Sequence, residues 1–401
     1  MTLRFNLKWV LTLLFIALGP LGNLLTPNFL PSAFRAYYFI LPLFPLFFLP
    51  GKGKEVKIGI LFLPFLIYCA VSALIVETFE ISNEPFAFFR FLLFASQFFF
   101  ILGAVSNLKS EEQMKTILKT YLRFYFFSLG IGYIFFLGYY LHAIPLSVIE
   151  RFSVLTQFSF NLLRFSPGSY PNEYGIVSSF VLSVLGLIFL EKRKGEFGFS
   201  TLSLFFLFFA TFLALILTTT RAAYLSLFIS AIYALWQSNR RFKGIALVLS
   251  PIFALFFLLS FFKIDMLKFL LAGFSQSLYE GSLGSRTEIW VESAEKALEN
   301  SLWGAGFASL TNIHNVYLQT VFELGVVGIF LLLGTLFFLV IETHSRYTGA
   351  TFFFKIRVVG LIHILSFAMS NHNLNHHLTW FVCFLCLAIP KVSRSSSEIT
   401  H

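Results

Sequence analysis

Residues 199–217, FSTLSLFFLFFATFLALIL, contain no charged side chain and decide the fold. An apolar run of about 20 residues is long enough to cross a bilayer as a helix. It is followed by Thr218-Thr219-Thr220-Arg221, a polar break too short to be a loop, and then by a second apolar run, 222–236. The two runs predict a hairpin of membrane-spanning helices with an arginine at its turn.

The rest of the chain has the same character, with 57% hydrophobic and only 12% charged residues over 401 positions. Soluble domains carry about 25% charged residues, so this composition excludes a soluble globular protein. We predict one all-α polytopic membrane domain over 1–401. The first run is read as a retained helix, because no small-x-small cleavage site follows it. The twelve predicted spans are 7–25, 35–49, 56–76, 86–105, 117–141, 172–190, 199–217, 222–236, 244–262, 316–341, 355–369 and 376–389.

The distribution of cationic residues predicts the orientation. Twenty of the 29 Lys and Arg residues fall on one side of the spans if both termini are cytoplasmic, as the positive-inside rule requires. The net charge of +10 is therefore a topology signal, and nucleic acid is excluded as a partner. The outward arginines need another explanation. Arg90 and Arg151 are expected either to extend a cationic funnel or to snorkel to the membrane interface.

Two outward loops, 142–171 and 263–315, are longer than a turn. In the second, Ser285-Arg286-Thr287-Glu288 matches a capping box and predicts a helix over about 285–300. Arg286 would then occupy the first helical position, where free N–H groups and the helix dipole favour an anion. The alternative is a surface arginine paired with Glu288 or a lipid headgroup. The predicted apolar stripe of this helix is Ile289, Trp290, Ala294, Ala297 and Leu298.

Arg221 and His314 are the other two residues with a predicted chemical role. A cation inside a membrane usually faces a partner or a wet cavity, and the neighbouring threonines favour a cavity over snorkelling. His314 opens the tenth span, where the positive end of the helix dipole favours a neutral ring. A neutral imidazole can accept a proton from a hydroxyl as a general base. The alternative for His314 is an interfacial polar residue without chemistry.

Metal and redox chemistry are not favoured by the remaining residues. Asp265 is the only aspartate, so no Asp-x-Asp pair is available to hold a divalent metal on a diphosphate. His372 and His376 are four residues apart, but the turn 371–377 is predicted to be exposed and has no carboxylate or thiolate partner, so a metal site is not favoured. The turn could contact a glycan through its amides and imidazoles instead. Cys383-x-x-Cys386 lies within an apolar span and is read as two small hydrophobic residues. No cofactor is expected.

Several motifs together resemble the bacterial O-antigen ligase and O-antigen polymerase superfamily. They are Thr219-Thr220-Arg221-Ala222-Ala223, Ser285-Arg286-Thr287-Glu288-Ile289-Trp290, Gly304-Ala305-Gly306, His314-Asn315-x-Tyr317-Leu318 and Glu323-Leu324-Gly325-x-x-Gly328, preceded by Arg164…Gly168…Pro171-Asn172-Glu173-Tyr174-Gly175. The resemblance covers 164–333, less than half of the chain. Each motif alone is weak, whereas their order and spacing are fairly specific.

The resemblance implies a glycosyltransferase of the GT-C-type membrane class, in the bacterial inner membrane with its active site on the periplasmic face. It implies inverting transfer of a glycan from undecaprenyl diphosphate to a hydroxyl of lipid A core. Arg221 and Arg286 would hold the diphosphate, and His314 would activate the acceptor hydroxyl. Without Asp-x-Asp, arginines would supply the leaving-group charge, and activity would be metal-independent. The expected substrate-binding residues are Arg164, Asn172, Glu173, Asn315, Tyr317, Glu323, Arg90, Arg151 and His372.

Three alternative functions stay open at the level of the sequence. An O-antigen polymerase would use a second lipid-linked glycan as acceptor. A protein O-oligosaccharyltransferase ranks lower, because relatives of that type commonly carry extra sequence after the last span and only twelve residues of this sequence follow Ile389. A transporter of lipid-linked sugars would need broken helices at corresponding places in two pseudo-symmetric halves. The sequence shows one such break, at Thr218–Thr220.

Overall fold

A computed structural model shows a bundle of helices. It describes residues 6–22, 24, 35–47, 57–79, 87–108, 110–149, 154–155, 163–238, 240, 242, 244–245, 249, 282–309, 313–344, 352–369 and 376–398. The elements are α1 (Leu7–Leu21), two 3₁₀ helices (Ala36–Phe39, Leu41–Phe47), α2 (Lys57–Thr78), α3 (Ala87–Ser106), α4 (Glu111–Tyr140), α5 (Leu146–Ile149), β1 (Val154–Leu155), β2 (Leu163–Arg164), α6 (Pro171–Leu190), α7 (Thr201–Thr218), α8 (Arg221–Trp236), α9 (Ser282–Leu298), α10 (Val316–His344), α11 (Phe352–Ala368) and α12 (His377–Glu398).

The structure is mostly helical, which agrees with the prediction of an all-α membrane protein. Five helices among the described residues, α3, α4, α6, α7 and the first 22 residues of α10, are long and apolar enough to cross a membrane. Predicted span 35–49 forms 3₁₀ helices instead of an α-helix, because proline at 42 and 45 cannot donate the α-helical hydrogen bonds. Predicted span 244–262 lies almost entirely outside the described residues. The remaining predicted spans coincide with helices.

Helix α6 forms the centre of the bundle and is buried along nearly its whole length. It packs against α7, α8 and α11. Gly175 permits a close approach of α6 to the residues between α7 and α8, because a Cβ there would lie 2.7 Å from the Thr220 side chain. Deeper in the bundle, the Ser179 hydroxyl lies 2.8 Å from Nε2 of His363 on α11, and both side chains are buried. This buried polar contact joins α6 to α11.

Charged pairs mark one end of the bundle. Lys355 at the start of α11 pairs with Glu191 after α6 at 2.6 Å, and Lys115 on α4 pairs with Glu196 at 3.1 Å. The break after Thr218 lies at the opposite end. We call this the outer end and the end with the two lysine–glutamate pairs the inner end, following the predicted orientation. Lys355, Lys115 and the residues around Glu191 were all predicted to lie inside, so their clustering agrees with the relative topology from the positive-inside rule.

Helix α10 is broken at Gly325, whose φ of 64° and ψ of −165° are not helical. The carbonyls of Phe322 and Glu323 before the break accept hydrogen bonds from the N–H groups of Ala305 and Gly306, at 2.8 and 2.7 Å. The first two N–H groups after the break donate to carbonyls of the same segment, 301–306. The predicted span 316–341 is therefore not one continuous helix, because segment 301–306 replaces the hydrogen bonds that the helix loses at the break.

Replacing Gly325 with alanine should destabilise the protein by about 1–3 kcal/mol, because the left-handed conformation disfavours a Cβ. The added Cβ would also lie 2.4 Å from the Leu302 carbonyl oxygen. Gly334→Ala is the matched control on the same helix, since nothing lies within 4 Å of its Cβ position. Thermal unfolding in detergent should show a lower midpoint for Gly325→Ala only. Equal midpoints for the two variants would show that the break is not required.

Candidate functional site

The turn between α7 and α8 presents Arg221 at the outer end. Thr219 ends α7 in the left-handed conformation, with φ of 52° and ψ of 33°, and Thr220 is the N-cap of α8. Arg221 is the first residue of α8 and is exposed. The Tyr224 hydroxyl donates to the Ile216 carbonyl at 3.0 Å, so it satisfies one of the carbonyls left open at the end of α7. The polar break predicted from the sequence is therefore a tight, internally bonded turn.

Arg164 is bound to the same turn. Its Nε donates to the Thr218 carbonyl at 2.8 Å, and its Nη2 donates to Oδ1 of Asn172 at 3.0 Å. The backbone of the next residue, Phe165, donates to the Leu217 carbonyl at 3.0 Å. The predicted substrate-binding residues Arg164 and Asn172 are thus brought together with the turn that carries Arg221. We call Arg164, Asn172, Thr220 and Arg221 the arginine corner.

The arginine corner contains two cationic side chains that affect one another. Burial and, to a smaller extent, the positive charge of Arg221 lower the pKa of Arg164 to about 10, so Arg164 stays protonated at neutral pH. Among the described residues no carboxylate pairs with Arg164, and its Nη1 has no hydrogen-bond partner there. Two neighbouring guanidinium groups, one with a free donor, form a site that a multivalent anion would stabilise.

Glu173 is the neighbour of Asn172 and forms a buried ion pair. Its Oε2 lies 2.8 Å from Nη2 of Arg35, and the two side chains are only 3% and 6% exposed. The Arg35 guanidinium also lies over the Tyr170 ring, 5.5 Å from the centroid. Glu173 was predicted to bind substrate. The ion pair lies inside the bundle at the start of α6, next to Asn172.

The segment around His314 is held by its neighbours. Asn315 is bonded on both sides: its Oδ1 accepts from the Leu318 N–H at 3.0 Å, and its Nδ2 donates to the Met369 carbonyl at 3.3 Å. Asn315 thus caps α10 and ties its start to the end of α11. His314 precedes this cap, is half-buried and has a left-handed φ of 52°. The prediction that His314 opens this helix is wrong, because Asn315 is the cap and α10 begins at Val316.

Helix α9 is docked on this segment through Trp290. The indole Nε1 donates to the Ile313 carbonyl at 2.7 Å, one residue before His314. Trp290, Ala294 and Ala297 pack with Ile313 and residues of the first turns of α10. The predicted apolar stripe is confirmed for these three residues. Leu298, the last residue of the predicted stripe, is 74% exposed, because α9 ends there and the chain turns away.

The start of α9 differs from the prediction. The helix begins at Ser282, so Ser285 does not cap it and Arg286 lies in its second turn instead of at its first position. The argument from free backbone N–H groups therefore does not apply to Arg286. Its backbone lies four residues before Trp290, on the same face of the helix. The side chain of Arg286 lies outside the described part of the chain.

Helices α8 and α11 connect the arginine corner to the His314 segment. They pack together, with the Ser230 hydroxyl 3.3 Å from Nδ1 of His363. From this contact Arg221 is about 14 Å further out along α8, and Met369 is about 9 Å further out along α11. The Met369 carbonyl accepts a hydrogen bond from Asn315, so Asn315 lies near the outer end of α11. Arg221 lies at the outer end of the adjacent helix α8.

The remaining residues that were predicted to bind substrate are not part of the arginine corner. Both carboxylate oxygens of Glu323 are bonded within the protein, to the Ala308 N–H and the Gln319 amide at 3.0 Å each, so Glu323 supports the break in α10. The Tyr317 hydroxyl lies 3.5 Å from the Leu365 carbonyl. Arg90 is in the first turn of α3, next to Phe91, which contacts the Phe307 ring. Arg151 and His372 lie outside the described residues.

The turn at the start of α12 was predicted to be exposed, but the histidines there are buried. His376 and His377 are 2% and 8% exposed, and their rings lie 4.4 Å apart. They are buried because the start of α12 packs against α1, where Gly19 admits the His377 ring. Cys386 is buried and Cys383 is half-buried, which agrees with the prediction that both act as small hydrophobic residues.

Trp290→Phe should loosen the His314 segment, because the buried Ile313 carbonyl would lose its donor at a cost of about 1–3 kcal/mol. The expected result is faster amide hydrogen exchange in residues 313–320, measured by mass spectrometry. Trp236→Phe is the control, since this tryptophan is 72% exposed at the inner end of α8. Unchanged exchange in 313–320 for Trp290→Phe would mean that the indole does not hold the segment.

Residues 204–333 match the family model described as O-antigen ligase. The match contains α7, α8, α9 and the first part of α10, and therefore Arg221, Arg286 and His314. Arg164 and Asn172 precede it, although they are bonded to the matched turn. No curated protein sequence matches the chain. The match confirms the resemblance of this chain to the O-antigen ligase and O-antigen polymerase superfamily.

Proposed function

We propose that this protein is an O-antigen ligase, a glycosyltransferase that moves a glycan from undecaprenyl diphosphate to a sugar hydroxyl of lipid A core. The observation that carries the proposal is the arginine corner, in which Arg164 and Arg221 are held together without a carboxylate on Arg164 among the described residues. A diphosphate leaving group has the charge and the oxygen geometry that such a pair binds. The family match supports the same class of reaction.

Each residue has a distinct role in the proposed reaction. Arg221 and Arg164 hold the diphosphate and stabilise the negative charge that grows on it as the glycosidic bond breaks. Asn172 orients Arg164, and Arg286 on α9 adds a further cation to the diphosphate. His314 accepts the proton of the acceptor hydroxyl as that oxygen attacks the anomeric carbon. A single displacement of this kind inverts the anomeric configuration.

The acceptor distinguishes the ligase from the polymerase. Purified protein should be supplied with a glycan on undecaprenyl diphosphate and either lipid A core or further donor. The ligase predicts a glycan joined to lipid A core and no lengthening of the lipid-linked chain. Lengthening of the chain without use of lipid A core would identify a polymerase instead.

Transfer should not require a divalent metal, because the proposed arginines supply the charge that Mg²⁺ or Mn²⁺ supplies in other glycosyltransferases. We expect the rate in excess EDTA to equal the rate in added Mg²⁺. The control is a metal-dependent glycosyltransferase treated in the same buffer. Loss of activity in EDTA that is restored by Mg²⁺ or Mn²⁺ would contradict this mechanism.

A further inference from the structure

Helix α9 and the residues that follow it run inward beside α10 and then turn back. Trp290 is bonded just before the first residue of α10, whereas the Ser301 carbonyl accepts from the Val326 N–H, beyond the break in α10, at 3.1 Å. The next residues return toward the outer end, where the Ala308 N–H donates to Oε2 of Glu323 at 3.0 Å. Residues 282–308 therefore enter from the outer end and turn back before they cross the bundle. We call the turn, residues 299–303, the tip.

Helices α2 and α10 give the same depth for the tip. Val326 follows the start of α10 by ten residues, a distance of about 15 Å. On α2 the Tyr68 hydroxyl donates to the Trp303 carbonyl at 3.1 Å, and Tyr68 precedes Thr78, the end of that helix, also by ten residues. Both helix ends are outer ends in the predicted orientation. The hydrocarbon core of a bilayer is about 30 Å thick, so a tip about 15 Å inward from both ends lies near its middle.

The tip is exposed in spite of this depth. Glu299, Asn300 and Ser301 are polar and exposed, and Leu302 and Trp303 after them are 51% and 58% exposed. Hydrocarbon offers no hydrogen-bond partner to backbone N–H and C=O groups. Irregular backbone at membrane depth is therefore found only where protein buries it or where it lines a water-filled cavity. Because the tip is not buried, the second case applies to it.

The exposed face of α9 continues from the tip to the outer end. It carries Glu292, Glu295 and, just after the helix, Glu299, at spacings of three and four that place the carboxylates on one side. A carboxylate in hydrocarbon is costly, so this side requires water along its whole length. By contrast, Ile67 and Val71, the exposed residues of α2 at the depth of the tip, are apolar and suit contact with lipid.

We propose that α9 and the tip line a water-filled vestibule that opens at the outer end and reaches about the middle of the bilayer. The vestibule admits polar, uncharged solutes and excludes lipid chains, because carboxylates and irregular backbone form its wall. It goes beyond the proposed function and does not depend on it, since only the depth, exposure and charge of residues 282–308 require it.

The test measures how often a spin label collides with a neutral, water-soluble nickel chelate in vesicles that contain the purified protein. A label on Glu299→Cys should collide at least about tenfold more often than one on Ile67→Cys, because hydrocarbon excludes polar solutes. Ile67 is the matched control, since it is 55% exposed and lies next to Tyr68, at the depth of the tip. Collisions with oxygen, an apolar molecule, should show the opposite order. The unchanged protein gives the background, because its three cysteines are buried or half-buried.

Asn300→Cys repeats the measurement at a second exposed position of the tip, so the result does not depend on one variant. Chelate collisions at both tip positions as rare as at Ile67→Cys would overturn the vestibule, because the tip would then face lipid. No donor, acceptor or transfer activity is needed, so this failure is distinct from a failure of the proposed function.

The side on which the vestibule opens is tested in spheroplasts with a membrane-impermeant maleimide. It should label Glu299→Cys in intact spheroplasts, but Gly195→Cys only after lysis. Gly195 is the control because it is exposed at the inner end and nothing lies within 4 Å of its Cβ position. Labelling of Glu299→Cys only after lysis would overturn the opening at the outer end.

Discussion

His314→Asn should lower the transfer rate by about 10²- to 10⁴-fold, the usual contribution of a general base. Asparagine is the chosen replacement because His314 has a left-handed φ, which asparagine tolerates better than alanine does. The substitution therefore removes the basic nitrogen with little strain on the backbone. KM for the donor should change little, because the arginine corner still binds the diphosphate. The measurement is steady-state transfer to lipid A core by purified protein.

His142→Asn provides a closely matched control. His142 also has a left-handed φ, of 57°, and is exposed in the predicted outer loop after α4. We expect its transfer rate to stay within about twofold of that of the unchanged protein, as for surface substitutions in general. A His314→Asn protein that is folded and retains full activity would exclude His314 as the base.

Arg221→Gln should lower the transfer rate by about 10²- to 10³-fold, the effect of removing one group that stabilises developing charge. Glutamine keeps part of the side-chain length and hydrogen-bonding capacity but loses the charge. Arg164→Gln should have a smaller effect, because Arg164 is only partly open to a ligand. The double variant should lose less than the product of the two single losses, since both residues act on the same anion.

Arg193→Gln is the control for charge removal, because Arg193 pairs with Glu111 and Glu196 at the inner end. It should leave transfer unchanged. Strictly multiplicative losses for Arg164→Gln and Arg221→Gln would indicate that the two arginines do not share a ligand, although the structure places their charges close enough to interact.

The sequence predicted the elements that are determined by residues close together along the chain. The run 199–217 gave α7 almost to the residue, because a charge-free apolar run can only be buried or lipid-facing. The Thr218–Thr220 break was also predictable, since Arg221 cannot continue an apolar span at low cost. Trp290 was named only as part of the apolar stripe. Its indole hydrogen bond to Ile313 depends on a contact that the stripe does not specify.

The sequence did not predict features that depend on contacts between residues far apart along the chain. Arg35 and Glu173 are separated by 138 residues, so no local pattern could pair them. The break at Gly325 exists because segment 301–306 supplies its hydrogen bonds, whereas the run 316–341 by itself reads as one helix. The start of α9 was placed too late because Gly284 is a poor helix former and resembles a boundary.

The break in α10 also bears on the transporter alternative. Broken helices in transporters expose backbone groups that coordinate substrates or ions. At Gly325 the carbonyls of Phe322 and Glu323 and the next two N–H groups are all bonded to segment 301–306. These four backbone groups are therefore used for packing between α10 and the segment after α9.

The most direct measurement of the central claim is bond formation in sealed vesicles that contain the purified protein, lipid A core and a glycan on undecaprenyl diphosphate. Our account predicts one undecaprenyl diphosphate released for each glycan joined to lipid A core, with both products lost in His314→Asn and retained in His142→Asn. Movement of the intact lipid-linked glycan to the other leaflet, with no new glycosidic bond and no effect of His314→Asn, would contradict it.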